Sequence, residues 1–418
     1  GEVVLVDTVF AVVNHTNDDD ENLDMAEEIM RRSKLTESHR QCFEQKVDVL
    51  SCPSTRQSHF QTRAMSRGLP DHFARLANIS EANAFSHRGD LAEKPTSLQM
   101  RPMPTSFALL PVGARFNHSC RPNALMRMGS DTAATVPGSQ SRAVSGVAYW
   151  TAVRPIQAGE EVTGGYVPAR DSLAVRTEKL AARGFVCCCP RCDEERRLDP
   201  NTTISCKCGQ THWQFQEDGD MRLAHSSIAS SAAHGSCQAC NFKYDRAEVL
   251  QRYQKAEAIA AHMSSGAAAN DDPRQLLMIL LDAQGATQGI FHPENYLVNV
   301  IIVTHISSCQ MMCATRDLGL SRKSKVQAMQ DFIASRLLLI KWYERVCGIQ
   351  DEPDSVPCMY EYAEMYYRLV GVIQKYPDLS GLSKAEIKQY RTKLEWICQV
   401  LYGQPGFPDS EAKLIQIG

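Results

Sequence analysis

Sixteen cysteines occur in this 418-residue chain, and nine of them fall between Cys120 and Cys240 at the short spacings that metal ligands use. With 43% hydrophobic residues the chain has apolar material for two or three domains, so it does not need disulfides to hold a core. Tetrahedral zinc takes four thiolate or imidazole ligands, and a Cys-x-Cys or Cys-x-x-Cys turn supplies two from one loop. Cys206-Lys207-Cys208 and Cys237-Gln238-Ala239-Cys240 therefore read as a zinc ribbon or knuckle. His212 and His234 lie near enough to compete, but four thiolates need no imidazole. The Cys237–Cys240 pair lacks the strand-helix surroundings of a thioredoxin-like redox site. A denser set, Cys187-Cys188-Cys189-Pro190-Arg191-Cys192, offers ligands of the same kind. Cys42, Cys52, Cys309, Cys313, Cys347, Cys358 and Cys398 are scattered through helical-looking sequence and read as buried thiols.

A formal charge of -3 with 22% charged residues argues against general nucleic-acid binding and against a membrane-surface protein. Around the ribbon, residues 200–242 bring few fixed cations, only Lys207 and Arg222 with Lys243 nearby, which speaks against a nucleic-acid module there. The expected partner is protein. The most apolar stretch, Tyr296 to Ala314, contains Asn299, Thr304, His305 and two serines, so it is expected as a buried helix and no membrane span is expected. Gly1-Glu2-Val3-Val4-Leu5 lacks the basic start and cleavage site of a signal peptide, which suggests an intracellular protein, cytoplasmic or nuclear.

Glu2 to Val13 reads as a strand and Asp18-Asp19-Asp20-Glu21 as a loop. Residues 22–80 carry mixed helical patterns with polar interruptions. Phe107 to Tyr166 is strand-and-turn material, with a strand over Val147 to Arg154 and a small-residue loop over Thr132 to Gly146. After Tyr244 the pattern is helical. Ile387, Tyr390, Leu394, Ile397 and Leu401 share one face of a helix that opens on a Ser383/Glu386 capping box and stops at Gly403 and Pro405. Val326, Met329, Ile333, Leu337, Ile340 and Tyr343 make a similar stripe ending near Gly348. Successive helices with short connections predict a helical array, without a strict 34-residue repeat.

The sharpest local signal is Asn117-His118-Ser119-Cys120-Arg121-Pro122-Asn123, set after the apolar lead Phe107 to Val112. Taken on residue types alone, an Asn-His pair entering a core needs partners, whether in a structural turn or at a ligand. Gly159-Glu160-Glu161-Val162-Thr163-Gly164-Gly165-Tyr166 follows, then Phe185 to Cys192. In this order the heptad, the Gly-Glu-Glu…Tyr segment and the Cys-x-Cys-x-x-Cys tail resemble the SET domain and post-SET segment of protein lysine methyltransferases. Asn83-Ala84-Phe85-Ser86 matches an Asn-x-Phe element of the SMYD branch, and the helical C-terminus, with His292-Pro293-Glu294-Asn295 opening a long helix, is similar to the SMYD C-terminal domain.

The resemblance implies an α+β chain: a SET domain over 1–180 with a helical insert at about 22–80, a β-rich fold with a zinc-bound post-SET segment. A post-SET and zinc-ribbon region over 181–243 would follow, then an all-α, TPR-like helical array over 244–418. It implies a protein-lysine N-methyltransferase that uses S-adenosylmethionine on a histone or non-histone protein substrate, with homo-oligomers open to it. Asn83, Asn117, His118 and Phe185 would bind the cofactor, while Tyr166 and Phe85 would line the lysine channel. Cys120 would join Cys187, Cys189 and Cys192 around one zinc, although three consecutive cysteines leave the register open at Cys188. Cys206, Cys208, Cys237 and Cys240 would hold the other.

The sequence departs from the family in three places. No Gly-x-Gly cofactor loop is found from Gly1 onward, so either this chain does not show that segment or the protein binds cofactor poorly; a MYND zinc module is missing because Cys42 and Cys52 cannot build one; and Arg183 stands where many relatives have a second channel tyrosine. The alternative reading is an inactive SET scaffold that binds protein partners through its helices.

Overall fold

The computed structural model describes residues 3–8, 10–14, 21–48, 50, 57–87, 106–128, 147–201, 203–206, 208, 212–215, 221–223, 235–237, 239–241, 243–264, 271–287, 290–292, 294–349, 355–357 and 360–402. The expected loops at Asp18–Asp20 and Thr132–Gly146, the helix stop at Gly403 and Pro405, Cys52, Cys358 and His234 lie outside them. The molecule is mostly helical, with several small sheets and two clusters of four cysteines.

The expected first strand is two, β1 (Val3–Thr8) and β2 (Ala11–Asn14), because the two halves serve different sheets. Four helices follow: α1 (Glu21–Ser33), α2 (Glu37–Cys42), which runs into a π-helical turn at Phe43–Val47, α3 (Gln57–Ser66) and α4 (His72–Asn83). The strands β3 (Ala84–His87), β4 (Ser106–Leu109), β5 (Asn117–His118), β6 (Ala124–Met128), β7 (Val147–Ala152) and β8 (Thr163–Gly164) then come in turn. They form two antiparallel sheets, β1-β7-β6 and β2-β4-β3, and a short parallel pair, β5 with β8.

Helix is as prominent as strand in this half: α1 to α4 occupy the stretch where a helical insert at about 22–80 is expected, and the strands β4 to β8 lie within 106–164. Leu23, Met25, Ala26 and Ile29 of α1, Phe60 and Ala64 of α3, and Ala74, Ala77 and Ile79 of α4 close on Phe10, Ala11 and Leu109 as one apolar core. That burial outweighs the charged residues interleaved among them and fixes α4 against its sheet. The C-terminus of α4 thereby delivers Asn83 and the chain into β3.

After α5 (Leu173–Ala181) and α6 (Pro190–Arg197) come β9 (Thr203–Ser205), β10 (His212–Phe215) and β11 (Met221–Leu223), then the hairpin β12 (Gly235–Ser236) and β13 (Lys243–Tyr244). The remaining helices are α7 (Arg246–Ser264), α8 (Pro273–Thr287), α9 (Val303–Thr315), α10 (Arg322–Cys347), α11 (Tyr360–Lys375), α12 (Pro377–Ser380) and α13 (Lys384–Tyr402).

Each long helix packs on the next, as the array predicts. The capping box forms: Glu386 N–H donates to Ser383 Oγ at 3.3 Å and Ser383 N–H to Glu386 Oε2 at 2.8 Å. Gly348 ends α10 at φ +68°, the left-handed conformation a C-terminal glycine allows. The α10 stripe is broader than expected, since Phe332, Ser335, Arg336, Leu339, Trp342 and Val346 are buried as well, because the helix is covered by α9 and by α11 together.

Asn295 N–H donates to the His292 carbonyl at 2.9 Å, and helix starts only after it, as a π-helical segment, Leu297–Ile302, continuing into α9. Leu297–Thr315 is long and apolar enough to cross a membrane by length and composition, which corrects the expectation that no run comes close; 67% of it is nevertheless buried inside the fold.

The helices rest on the first half. Val356 N–H donates to Val153 carbonyl at 2.8 Å, Arg170 pairs with Glu361 at 2.7 Å, and Val153 joins the α10–α11–α13 core.

His305 of α9 is buried, and burial lowers its imidazole from 6.5 to about 4. Between those values the unfolded chain binds a proton that the folded chain excludes. Stability should therefore be full above pH 6.5 and fall as the pH drops toward 4, by on the order of 3 kcal/mol from this residue. Urea midpoints measured across that window should show the loss, and His305→Leu should flatten it.

Candidate functional site

The heptad and the Gly-Glu-Glu…Tyr segment are joined by backbone and by one asparagine. Asn117 pairs with Thr163 and His118 with Gly164 in the parallel β5–β8 ladder, which Ser119 N–H extends to the Gly164 carbonyl at 3.0 Å. Asn123 is buried behind it. Its Nδ2 donates to Glu161 carbonyl at 2.8 Å and to Glu160 Oε1 at 3.1 Å, and its Oδ1 accepts from Thr163 N–H at 2.8 Å. Glu160 is held at about 2, first by its hydrogen bond from Arg154 and then by the Gln157 amide, so it stays an acceptor. Trp150 explains the glycine at 164: a Cβ there would sit 2.8 Å from its buried ring.

Gly165 leads directly to Tyr166, which lies against His118 with ring centroids 5.3 Å apart and edge-on to Phe185 at 6.2 Å. His118 is also 6.2 Å from Phe185. Tyr166 N–H donates to His118 Nδ1 at 3.0 Å, so Nδ1 is the acceptor and the ring proton sits on Nε2, 3.3 Å from Cys120 Sγ. Burial keeps this imidazole neutral, lowered to about 4. The Tyr166 hydroxyl donates to Phe116 carbonyl, and burial raises its pKa, so it remains protonated at neutral pH.

Arg183 lies over the Tyr166 ring at 5.4 Å and donates from Nη1 to Ala82 carbonyl at 3.1 Å, which brings in the end of α4. Asn83, next along, is buried and donates from Nδ2 to Ile79 carbonyl at 2.8 Å. Asn117 is exposed, with its amide on Glu161 Oε1 at 2.6 Å. Phe85 is on β3, paired with Ala108, and its side chain lies outside the described residues.

Beside this aromatic group, Cys120, Cys187, Cys189 and Cys192 gather four sulfurs within 4.8 Å of one another. The local fold explains the convergence: Ser172 caps α5, which carries the chain back to Phe185, and Cys189 immediately precedes α6, whose Pro190 starts the helix and whose first turn presents Cys192. Cys188 is outside this group of four, which resolves the register of the three consecutive cysteines. Four thiols this close cannot all ionise without a cation. The Cys189 sulfur is driven to about 3, mainly by a hydrogen bond from Cys120, while burial pushes Cys187 up to about 12. This donor set suits tetrahedral zinc.

Arg176, fully buried, donates to Glu195 and to Asp171 carbonyl, and Arg191 donates to Glu195 as well. Arg121, next to Cys120, grips Glu194 of α6 at 2.7 Å and reaches Val346 carbonyl at 3.4 Å.

A second set, Cys206, Cys208, Cys237 and Cys240, also brings its sulfurs within 4.8 Å. Cys206 Sγ is 3.4 Å from Cys240 and Cys208 Sγ 3.4 Å from Cys237. Asn241, at φ +56°, turns the chain so that its N–H reaches Cys237 carbonyl at 2.8 Å. His212 is on β10, its side chain outside the described residues. The ribbon belongs to the helical half in packing: Cys206 and Cys237 share a core with Ile204, Trp213, Val249 of α7, Phe291 and Val298.

The residues that sequence reading passed over are Asn123, Arg176, Arg191 and Glu195. Asn123 could have been found from its place in a heptad whose polar groups need buried partners; nothing in the α5 sequence marks Arg176 as interior. A scan against models of known protein families returns no match, and a search of curated proteins returns none.

Gly164→Ala should cost about 1–3 kcal/mol in a denaturant titration, because the Trp150 ring cannot yield. Gly165→Ala, whose Cβ would make an ordinary 3.5 Å contact with Pro122, should be nearly neutral.

Proposed function

We propose that this chain is a SET-domain protein lysine methyltransferase of the SMYD type, which transfers a methyl group from S-adenosylmethionine to a lysine of another protein and carries two structural zinc ions. The observation that carries this reading is that Asn117–Asn123, Gly159–Tyr166 and Phe185–Cys192, well separated in sequence, meet with His118, Tyr166 and Phe185 in ring contact beside four sulfurs. On this reading residues 1–180 are the SET domain, 181–243 the post-SET and ribbon region, and 244–418 a TPR-like domain. The protein works inside the cell on a histone or another protein.

The donor set suits an amino-acid-bearing cofactor: Asn117 offers an exposed amide, Asn83 lies buried at the end of α4 with its Oδ1 as an acceptor, and Phe185 offers a half-buried aromatic face for an adenine. S-adenosylmethionine supplies an electrophilic methyl group on a sulfonium. Asn83, Asn117 and His118 would hold it. His118 is itself fixed on one side by the Tyr166 amide and on the other by Cys120, so the first zinc centre sets the orientation of the pocket.

Tyr166 and Phe85 would line the approach of the lysine. The amine must arrive neutral, and burial lowers its pKa by disfavouring the ammonium. In-line transfer then needs alignment and exclusion of water more than proton abstraction. The raised pKa of Tyr166 fits a hydroxyl that orients the amine through a hydrogen bond, with the proton leaving to solvent.

A second reading, an inactive scaffold that binds protein through its helices, is favoured by one observation: the Arg183 guanidinium lies over the Tyr166 ring, near which a cationic sulfonium would have to sit.

Calorimetry with S-adenosylmethionine, on this chain, an N-terminally extended form and Tyr166→Phe, followed by methylation of a lysine-rich protein panel, tests both. Binding with turnover, reduced about a hundredfold in Tyr166→Phe with binding kept, is the expected result. Binding without turnover in every form would favour the scaffold, and no binding by any form would remove the cofactor reading.

A further inference from the structure

The two four-cysteine centres have the same ligands and unlike surroundings. Four thiolates around a divalent zinc leave two units of negative charge, and that excess makes the sulfurs nucleophilic unless neighbours neutralise it. In the first centre Cys120, Cys187 and Cys192 are buried and Cys189 is half-buried. The fully buried Arg176 sets its positive charge against Cys120, and the His118 Nε2–H points at that sulfur. Charge and access are both controlled there.

In the second centre Cys208 and Cys240 are exposed, while Cys206 and Cys237 are buried. Each exposed sulfur has a buried partner at 3.4 Å, Cys208 with Cys237 and Cys240 with Cys206. A disulfide needs an S–S separation of about 2.05 Å, so either pair can close by a small movement of a surface loop.

We propose that the second centre is a peroxide-sensitive zinc site, in which Cys208 and Cys240 are oxidised first and Cys237 and Cys206 resolve them into disulfides, while the first centre keeps its metal. The oxidant is hydrogen peroxide. The exposed thiolate attacks one peroxide oxygen, the O–O bond breaks, and a sulfenic acid and hydroxide form. The buried thiolate then attacks that sulfur, forming the S–S bond and expelling the second hydroxide. Each disulfide consumes one peroxide and two electrons leave the sulfur pair. With its thiolates gone, the zinc is released. Cys206 and Cys237 lie in the core shared with Trp213, Val249 and Phe291, so the event loosens the ribbon from α7.

The proposal rests on zinc occupying both centres and does not depend on methyl transfer. Full-length zinc-loaded protein is titrated with hydrogen peroxide, zinc release is followed with a metallochromic dye, and disulfides are mapped by mass spectrometry without reduction. One zinc per chain should leave about tenfold or more faster than the other, because oxidation follows thiolate access. The first linkages should be Cys208–Cys237 and Cys206–Cys240. Arg176→Met or Arg176→Lys should speed loss of the slower zinc and leave the faster unchanged. Simultaneous release of both, or earlier oxidation of Cys120, Cys187, Cys189 and Cys192, overturns the proposal in the wild-type protein alone. A purified protein with no zinc at the second centre overturns the metal reading and this proposal with it. Methylation assayed in parallel shows separately whether the enzyme reading stands.

Discussion

Cys120 belongs to the heptad and Cys187, Cys189 and Cys192 to a segment far along the chain, and their four sulfurs can lie together only if both are folded against each other. Everything at the candidate site inherits its position from that closure. His118 is two residues from Cys120 and turns its Nε2–H to that sulfur, which leaves Nδ1 to accept the amide of Tyr166. Phe185 is two residues before Cys187 and lies against both rings. A metal centre here would therefore act on the aromatic group through two short stretches of chain, without touching anything bound there.

The closure is reinforced from the other direction by buried charge. Arg176 would be costly in an interior without partners, and its two Nη groups donate to Glu195 and to Asp171 carbonyl. Arg191 closes on the same carboxylate, so two cations and one carboxylate sit beside four sulfurs. The triad carries one net positive charge, which offsets part of the negative charge that metal-bound thiolates would bring. Arg121 extends the arrangement outward, from Cys120 to Glu194 and on to Val346 at the end of α10. Gly348 gives that arginine its space, since a Cβ there would come within 3.0 Å of Arg121 Nε. The helical half is thus in register with the heptad through one side chain.

Much of this was legible in the sequence where one rule acts locally. Cysteine spacing marked the second cluster and the 187–192 part of the first, while Cys120 entered only through the family resemblance; the Ser383/Glu386 box and the stripes on α10 and α13 marked the helical half. Where tertiary packing decides, the sequence was silent. Leu23, Met25 and Ile29 are interleaved with Asp24, Glu27 and Glu28, so α1 does not announce a core helix, and only contact with α4 makes it one. The first strand reads as continuous because nothing local tells a chain to change sheets between Thr8 and Ala11. Arg176 looks like any surface arginine of an amphipathic helix. The ribbon's attachment to α7 depends on Phe291 and Val298, more than forty residues on from its last cysteine.

Arg183 is the residue that most constrains chemistry at the site. Burial lowers its pKa, yet the Ala82 carbonyl and the Tyr166 ring face give the cation two electron-rich partners. A second cation at a comparable 5.4 Å would be repelled by about 3 kcal/mol at an effective dielectric of ~20. Under the methyl-transfer reading that repulsion acts on the lysine as ammonium and vanishes when the amine is neutral, so it favours the reactive form while weakening capture of the charged one. Arg183 and burial then work in the same direction on the nucleophile, and a pocket too hostile for a charged lysine is what a neutral amine requires.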